Sequence, residues 1–368
     1  MRLALRELVR RPGRFAVATA ILTLIAALLM FLGGLLDGLT AGSTGALRAQ
    51  RADLIVFSAS AQDSLVRSRI DPSVRRQVES APGVQRVGGL GSVQLGGRIA
   101  GRGPRDLVPV VLLGYELAPK GLPATPPGPG EAYADASLRA EGIKRGTVVR
   151  LGPERTPIRV VGFVKDTQYS GQGTLWGSLD SWRAVLNANR PAGRVDPGVT
   201  QALVVSGGGA GLAAAIDRST GGATASLTIP EAIDALPGVS QQQRVFNQII
   251  AVTIVIAIIV VALFFALITI ERTALYGVLK AIGASSGTLF AGVLVQAFAV
   301  TLVASLIGAI AALALDAVIP AGGIPFVATL ARIVSSVAFL LLAAFVGCAF
   351  SLRRVLRIDP ATAIGGAQ

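Results

Sequence analysis

The residues best placed to do work in this chain form one segment, Glu271-Arg272-Thr273-Ala274-Leu275-Tyr276-Gly277-Val278-Leu279-Lys280-Ala281-Ile282-Gly283-Ala284, pinned between two long apolar runs. Leu275, Val278, Leu279 and Ile282 recur at i, i+3, i+4 and i+7, a spacing that predicts a short amphipathic helix with one apolar ridge. Gly277 permits close backbone approach, and Gly283 is placed to end the helix. Glu271 and Arg272 mark the point where the chain leaves the membrane and charge becomes affordable. The chemistry on offer is mechanical, a ridge that can seat in a groove of a partner; the plainer alternative is a loop packed on its own bundle.

Bond-making chemistry has little to work with. The chain has no histidine, which excludes Ser-His-Asp triads, Cys-His pairs, H-E-x-x-H and histidine metal sites. Carboxylates are scattered among basic residues without a paired motif. Gly209-x-Gly211-x-x-Ala214 follows a strand and opens a helix, the setting of a dinucleotide turn, but it lacks a companion βαβ unit. Val205-Ser206-Gly207-Gly208-Gly209 resembles an ABC signature only faintly, and no G-x-x-x-x-G-K-[ST] is present anywhere. Asp37 and Asp316 fall near helix ends and Arg332 is expected to snorkel outward, so the apolar runs offer no acidic relay for a proton-driven carrier.

The elements that must position the segment are membrane helices. With 52% hydrophobic residues over 368 positions and a mean hydropathy of +0.63, the chain is too apolar for a soluble protein and too charged for a purely membrane one. Four stretches reach the roughly 20 apolar residues that a crossing needs: Phe15 to Leu36, Gln248 to Ile270, Thr288 to Ile319 and Val327 to Phe350. The first is longer than a signal-peptide core and no convincing A-x-A site follows, so it is expected to be a retained helix. Arginines crowd residues 1–14 and the tail from Arg353, while Arg272 and Lys280 sit in the 271–287 loop. The positive-inside rule then puts both termini and that loop in the cytoplasm.

The expected division is an interfacial helix over 1–14, a first transmembrane helix over 15–37 and an extracytoplasmic domain over 38–245. A second transmembrane helix over 246–270 and the cytoplasmic segment 271–287 follow. Then come a third helix over 288–319, an outer loop over 320–326, a fourth helix over 327–352 and a cytoplasmic tail over 353–368. A formal charge of +13 invites a nucleic-acid reading, but the basic residues are dispersed and form no stripe with interleaved aromatics, so none is expected. Arginine outnumbers lysine 30 to 4, which points to genome composition. The lone cysteine, Cys348, lies in the fourth run, so the outer domain must hold together by a conventional core.

Within 38–245, Asp53 to Phe57, Pro82 to Val87, Leu107 to Leu113 and Ala202 to Val205 read as strands. Asp71 to Val78 reads as a helix with an acidic cap, and Leu212 to Asp217 as a second helix. Glu131 to Val164 reads as a small helix followed by strands at Thr147 to Leu151 and Ile158 to Val164. The Pro/Gly-rich stretch Pro119 to Gly130 reads as a loop dividing an α+β domain into two parts. The fold class is therefore an α+β membrane protein with one plus three transmembrane helices.

The segment beginning at Glu271 resembles the E-R-x-x-x-(aromatic)-G-x-L-K-A-(I/L)-G-A signature of FtsX/MacB-type ABC permeases. Arg353-Arg354-Val355-Leu356-Arg357-Ile358-Asp359-Pro360-Ala361-Thr362-Ala363-Ile364 is similar to that family's R-x-x-x-x-(I/L)-D-P-x-x-A-(I/L) tail. Leu275 stands where many relatives have Glu. Weaker likenesses to the outer domain of MacB-type proteins lie at Pro82-Gly83-Val84 and in the words between Ala140 and Gly162. The resemblance implies a non-catalytic permease that couples through residues 271–284 to a separate ABC ATPase, which supplies ATP and Mg. No cofactor is expected to be bound directly. It further implies a homodimer in a 2:2 complex, seated in membrane lipid of the bacterial cytoplasmic membrane, that exports a hydrophobic or amphipathic molecule. The short words favour the HrtB-like haem-exporter and DevC-like branches. For a haem cargo Met30 is the candidate axial ligand, against the alternative of a methionine packing among leucines. The functional alternative is a device that moves an extracytoplasmic partner, such as a cell-wall hydrolase, without transport.

Overall fold

Gly38–Gln242 folds around one nine-stranded sheet whose order is β3-β7-β4-β6-β5-β2-β8-β1-β9, with a further pairing of β3 to β2. The computed structural model describes residues 12–103, 105–209, 211–271, 277–279, 282–283, 285–319 and 324–356. The strands are β1 (Leu54–Ser58), β2 (Val84–Arg98), β3 (Val108–Tyr115), β4 (Glu131–Asp135), β5 (Val148–Leu151), β6 (Thr156–Val164), β7 (Gly173–Ser178), β8 (Ala202–Gly207) and β9 (Thr224–Thr228). The extra β3–β2 pairing closes β3, β7, β4, β6, β5 and β2 into a ring, while β8, β1 and β9 continue from the first half of β2.

β2 is long enough, at 15 residues, to serve both parts: Val84 to Leu90 pair with β8, and Leu90 to Gly97 pair with β3. The Pro/Gly-rich stretch was expected to divide the domain, but it merely links β3 to β4; the boundary runs along β2. Alternating inward residues fill the ring, with Val110, Leu112, Ala132, Ala134, Val149 and Leu175 at 0% exposure around Trp182. Trp182 is carried by α3 (Leu179–Asn189), whose N-cap Ser178 accepts from the Ser181 amide at 3.2 Å. It fits only because Gly91 and Gly114 face it without side chains.

Two expectations fail here. Glu131 opens a strand and not a helix, because Ala132 and Ala134 alternate inward between β6 and β7, and burial overrides the helical preference of alanine. α2 (Pro72–Glu79) starts after Asp71 as expected, yet the Asp71 side chain makes no capping bond; Pro72 at the first turn carries the signal instead. On the extension, β1, β8, α2 and α4 (Leu212–Ser219) enclose Val56, Ile70, Val78, Leu203, Val205 and Ile216. α5 (Ile229–Asp234) begins with a capping box in which Thr228 and Glu231 satisfy each other's amides.

Among the described residues the second unit draws on 12–37, on those between 243 and 319, and on 326–356, and its helices are long and apolar enough to cross a membrane. They belong to α1 (Pro12–Arg48), α6 (Val239–Glu271), α7 (Ser286–Val318) and α8 (Leu330–Leu356). Ala18, Leu22, Ala26 and Leu29 of α1 share a core with Ala257, Val261 and Phe265 of α6, Val293, Ala297 and Ala304 of α7, and Ala344 and Cys348 of α8. Small residues set the crossings: Gly308 meets Ala26, and Gly347 lies against the backbone of Ile258 and Ala262. Leu24, Leu263 and Leu306 point away at 72%, 67% and 62% exposure, as lipid-facing side chains do.

Candidate functional site

α6 ends at Glu271, which is exposed, and α7 begins after Ser285, whose hydroxyl accepts from the Thr288 amide at 3.2 Å. Between these ends Gly277 to Leu279 are helical, and the Ile282 amide donates to the Val278 carbonyl at 3.1 Å. Gly283 follows with φ of +100°, a backbone conformation that disfavours any side chain. The turn thus closes on a left-handed glycine before the capped start of α7.

Of the expected ridge, Val278 and Ile282 are exposed at 47% and 78%, whereas Leu279 packs against the bundle core. Gly277 is buried. Arg272, Leu275, Tyr276, Lys280, Ala281 and Ala284 lie outside the described residues. Among its described residues the segment offers two bare apolar side chains, Val278 and Ile282, and is held to the bundle by Leu279.

The bundle also holds a polar cluster that sequence reasoning missed. Arg332 of α8 does not snorkel outward but pairs with Asp37 of α1: its Nε donates to Asp37 Oδ2 at 3.1 Å, and its Nη2 donates to Oδ1. Thr329 Oγ1 donates to the same carboxylate at 3.1 Å, and Asp316 of α7 accepts from the Ala328 amide at 3.2 Å. Gly33 makes room for the arginine, since a Cβ there would lie 3.0 Å from its Cγ and Nε. One residue on, Phe326 sits against Gly34 and stacks on Phe31 at 5.7 Å between centroids, while the Val327 amide donates to the Gly34 carbonyl at 3.0 Å. A Gly-Gly pair three residues before an acid was the available signal, but its partner lies 295 residues away.

Met30 is 2% exposed and is enclosed by Ala309, Ala312 and Phe326, with Ile333 and Val337 beside them. Its surroundings are those of a core methionine. In the sheet unit, Gly209 and Gly211 have positive φ, as a phosphate turn would, but β8, α4 and β9 form a split unit with antiparallel β1 between its two strands, and not the parallel-sheet βαβ of a dinucleotide fold.

Residues 247–360 match the family model described as FtsX-like permease C-terminal. A protein of Staphylococcus haemolyticus named as a hemin transport system permease, HrtB, is 21% identical over 373 residues, with 100% of both chains covered. An uncharacterized ABC transporter permease of Mycobacterium tuberculosis is 26% identical over 99% of each chain. Among solved structures, the extracellular domain of the ABC-type transporter YknZ from Gram-positive bacteria matches at a TM-score of 0.32 and 11% identity, covering 48% of this chain and 99% of that one. The periplasmic region of MacB from Actinobacillus actinomycetemcomitans matches at 0.33 and 11%, covering 54% and 94%. With four membrane-length helices and a mixed sheet domain between the first and second, the chain carries an FtsX-like permease domain over residues 247–360 and is similar along its whole length to ABC transporter permeases, among them the one named HrtB.

Proposed function

We propose that this multi-pass permease is the transmembrane subunit of an ATP-driven efflux complex, two copies working with two copies of a separate ABC ATPase. ATP binding closes the ATPases, tilts the Glu271 to Ala284 segment and moves α6. The observation that carries this reading is the continuity of α6, which runs unbroken from Val239 in the sheet unit to Glu271 at the start of the coupling segment. A helix of 33 residues transmits displacement along its length without a hinge. Val278 and Ile282, apolar and exposed, are the side chains that would enter the ATPase groove.

In this reading both termini and the segment face the cytoplasm and the sheet unit faces outward, which the clustering of arginines at residues 1–14 and in the tail supports. A hydrophobic or amphipathic molecule leaves laterally or from the outer leaflet. The name of the staphylococcal relatives makes hemin the first cargo to test. Met30 would serve as its ligand only if the small cluster around it opened, since apolar side chains enclose its sulfur.

The test is affinity purification of the tagged chain from native membranes in mild detergent, followed by mass spectrometry. A near-stoichiometric ABC ATPase is expected, and Val278→Asp or Ile282→Asp should remove it while leaving the permease intact. Recovery of the ATPase with both variants at the unaltered level would refute the coupling role. Stimulation of ATPase activity by hemin supports export; stimulation by a purified extracytoplasmic protein alone would replace transport by signalling.

A further inference from the structure

The sheet unit contains a cavity of about 580 Å³ beside β2, within the size range of small-molecule sites of roughly 300–1,000 Å³. Its walls are apolar, contributed by Val66, Val93 and Leu186, yet two guanidinium groups, Arg69 and Arg190, line it as well. Both are fixed by backbone carbonyls. Arg69 Nη1 donates to Val66 at 2.9 Å and to Ser68 at 2.7 Å, and Arg190 Nη2 donates to Gln94 at 3.0 Å. Among the described residues neither has a carboxylate within 4.0 Å.

Arg75, Arg102, Arg159 and Arg183 of the same unit each hold a carboxylate, whereas Arg69 and Arg190 hold backbone carbonyls beside a cavity. Arg69 is half-buried, and burial lowers its pKa below the ordinary arginine value, whereas Arg190 is exposed at the rim. A guanidinium presents parallel N–H groups matched to carboxylate geometry, and it gains most where water is partly excluded. Basic residues also outnumber acidic ones across residues 38–242.

We propose that this cavity binds an amphipathic carboxylate, its acid group between Arg69 and Arg190 and its apolar body against Val66, Val93 and Leu186. The apolar walls distinguish it from a site for an inorganic anion. The site goes beyond the efflux reading and does not rest on it, because binding to the cavity requires neither ATPase nor transport.

The experiment is equilibrium dialysis of the full chain in lipid nanodiscs, with empty nanodiscs subtracted, using radiolabelled 1-naphthylacetate and its neutral counterpart 1-naphthylacetamide. Saturable binding of the carboxylate at one site per chain is expected, at least tenfold tighter than the amide. Arg69→Gln and Arg190→Gln should each weaken carboxylate binding about tenfold, the size of one charge-assisted hydrogen bond, and leave the amide unchanged. Gly193→Phe should block both probes, because Gly193 lines the cavity and the atom near its Cβ position is Arg69 Nη2, at 4.0 Å, so a ring there occupies the space the ligand needs. Arg218→Gln, outside the cavity, should bind as the unaltered chain does, and unchanged tryptophan fluorescence keeps a fold defect from being read as lost binding. No saturable binding above empty nanodiscs, equal affinity for acid and amide, or full displacement by equimolar inorganic phosphate would each overturn the proposal.

Discussion

The Asp37–Arg332 pair makes a quantitative prediction that the bundle itself can report. The carboxylate accepts three hydrogen bonds, two of them from the guanidinium, and the two side chains are about a quarter exposed, at 24% and 27%. Fully exposed pairs are worth about 0–1 kcal/mol, and breaking a fully buried one costs about 3–5 kcal/mol. A pair between those limits should couple α1 to α8 by about 2 kcal/mol. Cys348 is the only cysteine and lies at 0% exposure on α8, so the rate at which a thiol reagent labels it measures how often the bundle opens. When labelling follows the open population, about 2 kcal/mol corresponds to roughly 30-fold faster labelling for Asp37→Ala. Arg332→Met should act similarly, and the double variant should fall short of the sum by about 2 kcal/mol. Gly33→Ala should accelerate labelling through overlap with the pinned arginine, and this effect should vanish once Arg332 is truncated. Labelling within threefold of the unaltered chain for both single variants, with additive effects, would refute the reasoning.

The sheet unit offers two further tests. Gly91→Ala drives a methyl into the ring of Trp182, and overpacking of this kind costs about 1–3 kcal/mol, so thermal unfolding should shift downward. Both tryptophans of the chain, Trp176 and Trp182, belong to this unit, so their fluorescence follows it alone. At the start of α5, hydrogen bonds from the Thr228 amide and hydroxyl lower the pKa of Glu231. A lowered folded value means stabilisation is complete above the carboxylate's unfolded pKa and fades as pH falls through the folded one. Glu231→Gln should therefore be less stable than the unaltered chain at neutral pH, and the difference should shrink in acid. A pH-independent difference would contradict the assignment.

Local signals carried much of the architecture. The four apolar runs, and strands such as Leu54 to Ser58 with their continuous apolar character, are written in contiguous residues. What escaped was set by distant partners. β4 is a strand because β6 and β7 flank it, and nothing within Glu131 to Asp135 announces them. β7 is flanked by glycines that look like loop residues, yet Gly173 is a glycine because Leu138 packs on it. In the turn between α6 and α7, Gly283 and its left-handed φ were legible, while the inward turn of Leu279 depended on the neighbouring helices. The arginines of the cavity read as dispersed surface charge, because their shared wall joins residues more than a hundred positions apart.

The order of the strands also sets a timetable for synthesis. β1 is an apolar strand, Leu54 to Phe57, whose residues pair with β8 in the register Leu54 to Val205, and with β9 beyond it. Some 150 residues must therefore be made after β1 before either neighbour exists. At roughly 5–20 residues per second, that is an interval of about 8–30 s in which both strand edges stand bare. For a segment that emerges straight after the first membrane-length helix, both edges of an apolar strand stay open to other chains until β8 and β9 are made, and a stalled or truncated chain would present them as a sticky ribbon.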